Sequence, residues 1–305
     1  MLSNQSDQNT QDSQLATVHV PVMPNELVDG MCVEAGHRVV DGTCGGGGHA
    51  SLLAKLVGPE GLVFGIDRDP LAIERCSQRL SGLPVKLAVG NFADLPELLR
   101  ANDCCPVNSL CLDLGLSSDQ LADSERGFSY QSQGSLDLRF DTSKGRPAWK
   151  LLEHLSEKHL ADLIYKWGEE RFSRRIAREI VKIRNTQPIK TADQLAGLLR
   201  RVVPRSKNHS IDPATRTFQA LRIAVNDELK WVEVALKRLP ELLVPAGRIA
   251  VISFHSLEDR IVKHTFREHE LLDLVTRKAL RPSDAEVQQN PRSRSARLRI
   301  AERKS

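Results

Sequence analysis

Between Val39 and Leu112, short runs that are apolar almost throughout alternate with stretches whose apolar residues recur at helical spacing. HRVVD, HASLLAKLV, GLVFGID, DPLAIERCSQRL, VKLAVG, FADLPELLRA and SLCLDLG follow one another in that order. Strands without a polar face need cover on both sides, and helices between consecutive strands are the usual parallel crossovers. The pattern predicts a doubly wound parallel sheet. From about Gln120 to Val225 the strand-like runs vanish. Charged stretches of helical period replace them, among them LSEKHLADLIYKWGEERFSRRIAREIVKIRN and TADQLAGLLRRVV. The alternation then resumes with the helix DELKWVEVALKRLPELL, a turn at PAG, the strand RIAVISF, the helix SLEDRIVKHTF and a last strand ARLRIAER that can close the sheet. The expectation is an α/β domain made of residues 19–119 and 226–305, interrupted by a helical insertion over 120–225. Residues 1–18, rich in Gln, Asn, Ser and Asp, read as a disordered tail.

Composition narrows the class further. At 305 residues, 40% hydrophobic and 27% charged, the chain is that of an ordinary globular protein. A net charge of +4 is too small to mark a nucleic-acid binder, so the placing of the charge matters more than its sum. All six cysteines (Cys32, Cys44, Cys76, Cys104, Cys105, Cys111) fall before residue 112, with no CxxC pair and no histidine at zinc-finger spacing. They read as buried thiols in a reducing cytoplasm, and no metal site is expected. No apolar run approaches the roughly 20 residues of a bilayer span. The N-terminus lacks the basic and apolar regions of a signal peptide. A cytoplasmic location away from membranes is expected.

The chemistry begins at VVDGTCGGGGHA, residues 39–50, where a strand ending in Asp41 runs through four consecutive glycines into a helix starting near His49. Missing Cβ atoms and free N–H groups at a helix start suit a nucleotide-like ligand, and they equally suit a tight turn that packs helix on strand. The next strand ends in Asp67, at the spacing where an acid accepts hydrogen bonds from ribose hydroxyls, while Asp69 reads as a helix cap. Gly45, Gly47 and Ala50 also satisfy GxGxxA, which keeps a nicotinamide- or flavin-dependent oxidoreductase open. Asn91 and Phe92 follow the third strand, where an adenine can meet an apolar face. Asp113 ends the fourth, either as a ligand contact in the switch-point crevice or as a structural cap.

With these blocks in place, the chain resembles the bacterial small-subunit ribosomal RNA cytosine-N4 methyltransferases. The resemblance runs from about His19 to Arg303 through HVPVMPNELVDGM, DGTCGGGGHA, GIDRDPLAI, LDLGLSSDQL, ERGFSY, LDLRFD, YKWGEERFSRRIAREIV, PATRTFQALRIAVNDEL, GRIAVISFHSLEDRIVK and NPRSRSARLRIAER. It implies a Rossmann-like methyltransferase domain with a helical recognition domain, S-adenosyl-L-methionine as cofactor, and 16S ribosomal RNA or the small ribosomal subunit as partner. The reaction it implies is methylation of the exocyclic amine of a cytosine in the decoding region. Family cofactor contacts fall on Gly47, Gly48, His49, Asp67, Phe92, Asp113 and Gln120. Departures are Gly46 where a large basic residue is usual, Asp119 where proline is common, and Leu138 and Phe140 in place of methionines. The stretch between His269 and Pro282 is also shorter than usual.

Transfer of a methyl group from sulfonium to nitrogen is an in-line displacement, so the site must align donor and acceptor away from water. A cytosine amine is a poor nucleophile and gains from a nearby proton acceptor. Asp113 is the first candidate, with Ser117 and Ser118 as hydrogen-bonding neighbours. His255 in SFHSLEDR is the alternative, or else a packed residue beside a Ser256–Asp259 cap. The base must be unpaired or flipped to reach such a pocket. RFSRRIAREIVKIR, RRVVPRSKNH and RSRSARLR supply candidate phosphate contacts, although each arginine alone also fits a solvated face. Arg126, Phe128, Arg139, Arg216 and Phe218, in blocks flanking the insertion, are candidates for the substrate side. A non-catalytic RNA-binding module on a degenerate methyltransferase fold is the remaining alternative.

Overall fold

The computed structural model describes residues 21–204 and 212–305. The expected tail over 1–18 and part of RRVVPRSKNH lie outside the described residues.

Helix α1 (Pro24–Met31) leads into β1 (Arg38–Asp41), α2 (Gly48–Val57), β2 (Leu62–Asp67), α3 (Pro70–Arg79), β3 (Val85–Val89), α4 (Leu95–Ala101) and β4 (Val107–Asp113). Six helices follow: α5 (Ser118–Ala122), α6 (Ala148–His154), α7 (Glu157–Gly168), α8 (Ser173–Arg184), α9 (Ala192–Val202) and α10 (Thr215–Asn226). The chain ends with α11 (Glu228–Arg238), β5 (Leu243–Ser253), α12 (Ser256–Glu268), β6 (Leu272–Leu274), α13 (Asp284–Gln289) and β7 (Arg297–Arg303). The seven strands form one sheet in the order β3-β2-β1-β4-β5-β7-β6. β1 to β5 run parallel, while β7 lies antiparallel to both β5 and β6. The α/β expectation is met, including the closing strand.

Apolar residues fill both faces of the strands because both faces are covered. Val40, Phe64, Leu110, Leu112, Ile249 and Val251 join one core with α4, α11 and α12. Their neighbours Val39, Val63, Cys111, Ala250 and Ile252 point the opposite way into a core with α1 and α2. A third core is built by α6 to α10, with Leu160 and Ile164 of α7, Ile176 and Ile180 of α8, and Leu195 and Leu199 of α9 at helical spacing. Gly168 lets α7 lie against α10, since a Cβ there would stand 2.5 Å from the Arg216 carbonyl oxygen.

Local details depart from the sequence reading. PAG is no terminal turn. It is a bulge within β5, where the pairing register with β4 shifts between Val107 and Ser109 and Ala246 adopts φ 61°. Asp69 does open α3, accepting from Leu71 N at 3.1 Å ahead of Pro70.

Candidate functional site

β1, β2, β4 and β5 end on the same edge of the sheet, and the strand order reverses between β1 and β4. A cleft of about 870 Å³, open mouth included, lies there, large enough for a mid-sized organic ligand. Its floor is the main chain from Gly42 to Gly45. A Cβ on Gly42 would stand 2.4 Å from Leu112 Cδ2, so the tight turn over β4 by itself requires glycine. Gly47 and Gly48, expected against the cofactor, lie outside the lining. Gly47 is the left-handed N-cap of α2 at φ 75°, where a Cβ would meet Cys76 Sγ at 2.7 Å, and Gly48 is the first residue of that helix.

Asp67, His49, Phe92, Asp113 and Gln120 do converge on the cleft. Asp67 accepts from Gly45 N and Asp69 N, each at 2.9 Å, which fastens the glycine turn to the end of β2. Burial holds its carboxyl above the usual range despite those two bonds. Asp113 N donates to Thr43 Oγ1 at 2.6 Å, and its Oδ2 lies 3.6 Å from His49 Nδ1. Its Oδ1 is buried with no hydrogen-bond partner among the described residues. Burial, and then the charges of Asp41 and Glu258, push the Asp113 carboxyl well up. His49 is itself buried, with Nε2 at 2.9 Å from the Val22 carbonyl oxygen. Asp41, behind the floor, is lifted to about 7, chiefly by burial.

Ser117 and Gln120 form a capping box on α5, each accepting from the other's backbone N–H at 3.1 Å; both side chains line the cleft. Ser118 is the first residue of α5. Sequence reasoning did not single out Thr43, Arg68, Glu228, Phe254 or Glu258, which also line the cleft, and noted Phe140, another lining residue, only as a departure from the family pattern. Glu258 left one signal, its place three residues after His255. His255, not Ser256, caps α12: its Nδ1 accepts from Glu258 N at 3.3 Å, and Glu258 accepts from Phe254 N at 2.9 Å and His255 N at 3.3 Å. Asp259 instead binds Arg297 at 3.2 Å and Arg299 at 2.7 Å, so those two arginines of RSRSARLR hold β7 to α12.

Ligand atoms of Glu228, His255 and Glu258 lie within 4.8 Å of one another, close enough to share a metal ion. Most of their ligand atoms already have partners. Glu228 forms a two-bond pair with Arg222 at 2.8 and 2.9 Å. His255 Nδ1 is taken up by the cap, and its Nε2, 3.1 Å from Glu258 Oε1, is buried with no hydrogen-bond partner among the described residues.

The substrate-side candidates are not brought to the cleft. Phe128 and Phe218 are buried in the helical core, Phe128 stacked on Phe140 at 5.7 Å and Phe218 edge-on to Tyr130 at 6.2 Å. Arg126 is buried on Asp69 and Asp123. Arg139 is held by Asp137 through two 2.7 Å bonds. Arg216 is exposed, donating to the Glu169 carbonyl oxygen at 3.3 Å. The insertion does present an exposed basic face, with Arg171, Arg174, Arg175, Arg178 and Lys182 on and beside α8.

The sequence profile of the MraW methylase family matches residues 16–304. A protein of Rhodopirellula baltica named Ribosomal RNA small subunit methyltransferase H is 49% identical, covering 98% of this chain and 97% of its own. Proteins of the same name from Syntrophotalea carbinolica and Deinococcus radiodurans are 46% and 47% identical, each over 93% of this chain and over 98% and 89% of their own lengths. Among the described residues no helix is long and apolar enough to cross a membrane.

Proposed function

The chain belongs to the MraW methylase family, and from that premise we propose that its cleft methylates the exocyclic N4 amine of a cytosine in the decoding region of 16S ribosomal RNA. At the coarser level it is an S-adenosylmethionine-dependent methyltransferase of small-subunit ribosomal RNA. The observation that carries the reading is the Asp113 carboxyl: one oxygen lacks a partner, buried at the switch point beside a bare main-chain floor. Such an acceptor is costly unless a ligand donor or cation meets it.

The residues fit an adenosyl sulfonium. Asp67 would accept from ribose hydroxyls and Phe92 would meet an adenine face, while Asp113, His49 and Gln120, which also line the cleft, would hold the remainder. When bound, the cofactor supplies an electrophilic methyl group. A cation beside Asp113 would favour its charged form, the form able to accept the amine proton. Phe254 and Phe140 supply apolar walls that exclude water where an extruded base would enter. The exposed basic face around α8 would hold RNA phosphates. The GxGxxA alternative loses its support because Gly47 packs on Cys76 rather than facing a ligand.

The test is calorimetric titration of S-adenosylmethionine into wild type and Asp113→Asn, together with nucleoside mass spectrometry of small-subunit RNA from cells with and without the gene. The expected result is binding that the variant weakens, and loss of one N4-methylcytidine species. Full modification without the gene would overturn the reading.

A further inference from the structure

Arg126 lies in a block that reads, from sequence, as a substrate contact, yet its side chain is only 9% exposed and faces inward. Its Nη1 pairs with Asp69 Oδ2 at 2.7 Å and reaches the Phe140 carbonyl oxygen at 3.4 Å. Its Nε donates to Asp123 Oδ2 at 2.8 Å. The guanidinium also sits 5.6 Å from the centre of the Phe128 ring, which stacks on Phe140.

Neither carboxylate lines the cleft, but each belongs to a segment that supplies part of its wall. Asp69 follows β2 and donates its N–H to Asp67, the acid at the cleft, while its Oδ2 also lies 3.4 Å from Gln120 Nε2. Asp123 and Phe140 belong to the segment from Leu114 to Phe140, which supplies Gln120 and the Phe140 ring to the lining. One planar cation thus fastens both segments.

We propose that Arg126 is a positioning residue that latches the 114–140 segment against the β2 acid loop and so sets how tightly and how long the cleft retains its cofactor. The proposal rests on the cofactor reading above. A guanidinium suits the task because its fork engages two carboxylates and a carbonyl from fixed directions, whereas an ammonium is a single point charge. Neither catalysis nor phosphate binding is assigned to it: it touches no lining atom except the Phe140 main chain, and its bonded donors are turned away from solvent.

The experiment uses the full chain with Arg126→Ala, Arg126→Lys, Asp69→Asn and the Arg126→Ala/Asp69→Asn double variant. Asp69→Asn keeps an oxygen for the α3 cap. Radiolabelled S-adenosylmethionine gives the dissociation constant and off-rate, steady-state assays give KM and kcat, and filter binding at several salt concentrations gives RNA affinity. Arg126→Ala removes the bonds to Asp69, Asp123 and Phe140 and is expected to raise the cofactor KM and off-rate roughly tenfold to a hundredfold, the worth of one charged hydrogen bond. RNA affinity and its salt slope should stay as in wild type, and kcat at saturating cofactor should fall far less than kcat/KM. Arg126→Lys should fall between, and the double variant should be no worse than Arg126→Ala because the two residues share one interaction. If Arg126→Ala does not fold, Arg126→Lys and Asp69→Asn carry the same comparison. Folded variants with wild-type cofactor kinetics would overturn the proposal, as would a weakened, shallower salt dependence of RNA binding with cofactor affinity intact. Absence of cofactor binding by wild type itself would overturn the cofactor reading instead.

Discussion

Asp41 offers a sharp test because its charge is unwelcome where it sits. The residue is 1% exposed, its Oδ1 accepts from Thr43 N at 3.2 Å, and its Oδ2 has no hydrogen-bond partner among the described residues. Burial, with a contribution from Asp67, raises the carboxyl from 3.8 to about 7. A folded value above the unfolded one means the native state binds the extra proton, so stability falls as pH rises from about 4 and levels off above about 7. The difference of about 3 units, at about 1.4 kcal/mol each, amounts to about 4 kcal/mol above pH 7 and to about 2 kcal/mol at pH 5. Asp41→Asn copies the shape of the protonated acid, keeps an oxygen for Thr43 N and cannot ionise. Urea denaturation of both proteins from pH 5 to 8.5 should show the variant gaining on wild type, with the gap widening by about 2 kcal/mol across that range. A gap constant with pH, or one that narrows as pH rises, would refute the assignment.

Three further outcomes follow from the geometry. Asp67→Ala removes the acceptor of Gly45 N and Asp69 N as well as the proposed ribose contact; calorimetry should show the cofactor dissociation constant rising roughly tenfold to a hundredfold, and an unchanged titration would sink the ribose role. Gly47→Ala places a Cβ 2.7 Å from Cys76 Sγ at φ 75°; a loss of about 1–3 kcal/mol in chemical denaturation is expected. Replacing Arg174, Arg175 and Arg178 with alanine should lower RNA affinity and flatten its salt slope by about one for each phosphate no longer neutralised, leaving cofactor titration as in wild type; a cofactor defect would mean that this face shapes the cleft.

What sequence revealed, and what it hid, divides along physical lines. Runs such as SLCLDLG announce a doubly covered strand because both faces of the chain must be apolar, and Leu110, Cys111 and Leu112 do point alternately into two cores. Asp67, Phe92 and Asp113 were legible because strand ends fix their position at one edge of the sheet. Direction within the helical region was not. Phe128 and Phe218 have the composition of a base-stacking platform and the burial of a core, and spacing alone does not distinguish the two. Arg126 resembles a phosphate ligand until Asp69, far away in sequence, is seen to claim it. Glu228 gave no signal, since only the packing of α11 brings it to the cleft. The bulge at Ala246 was hidden because PAG is also good turn chemistry.

Asp41, Asp67 and Asp113 end three neighbouring strands, and burial raises all three carboxyls. Yet they are not equivalent. Asp67 is tied up by two main-chain N–H groups and braces the glycine turn. Asp41 lies behind the floor and reaches the cleft only through its field. Asp113 alone combines a place in the lining with an unpartnered oxygen. Arg68, a cationic lining residue, donates to the Asn226 carbonyl oxygen and lies 5.8 Å from the Phe140 ring centre. A cleft of this kind stores unfavourable desolvation that a cation relieves, because a positive charge beside Asp113 lowers the cost of ionising it. On the proposed reading, a sulfonium beside Asp113 would favour its ionised form, and the demethylated product, having lost that charge, would not.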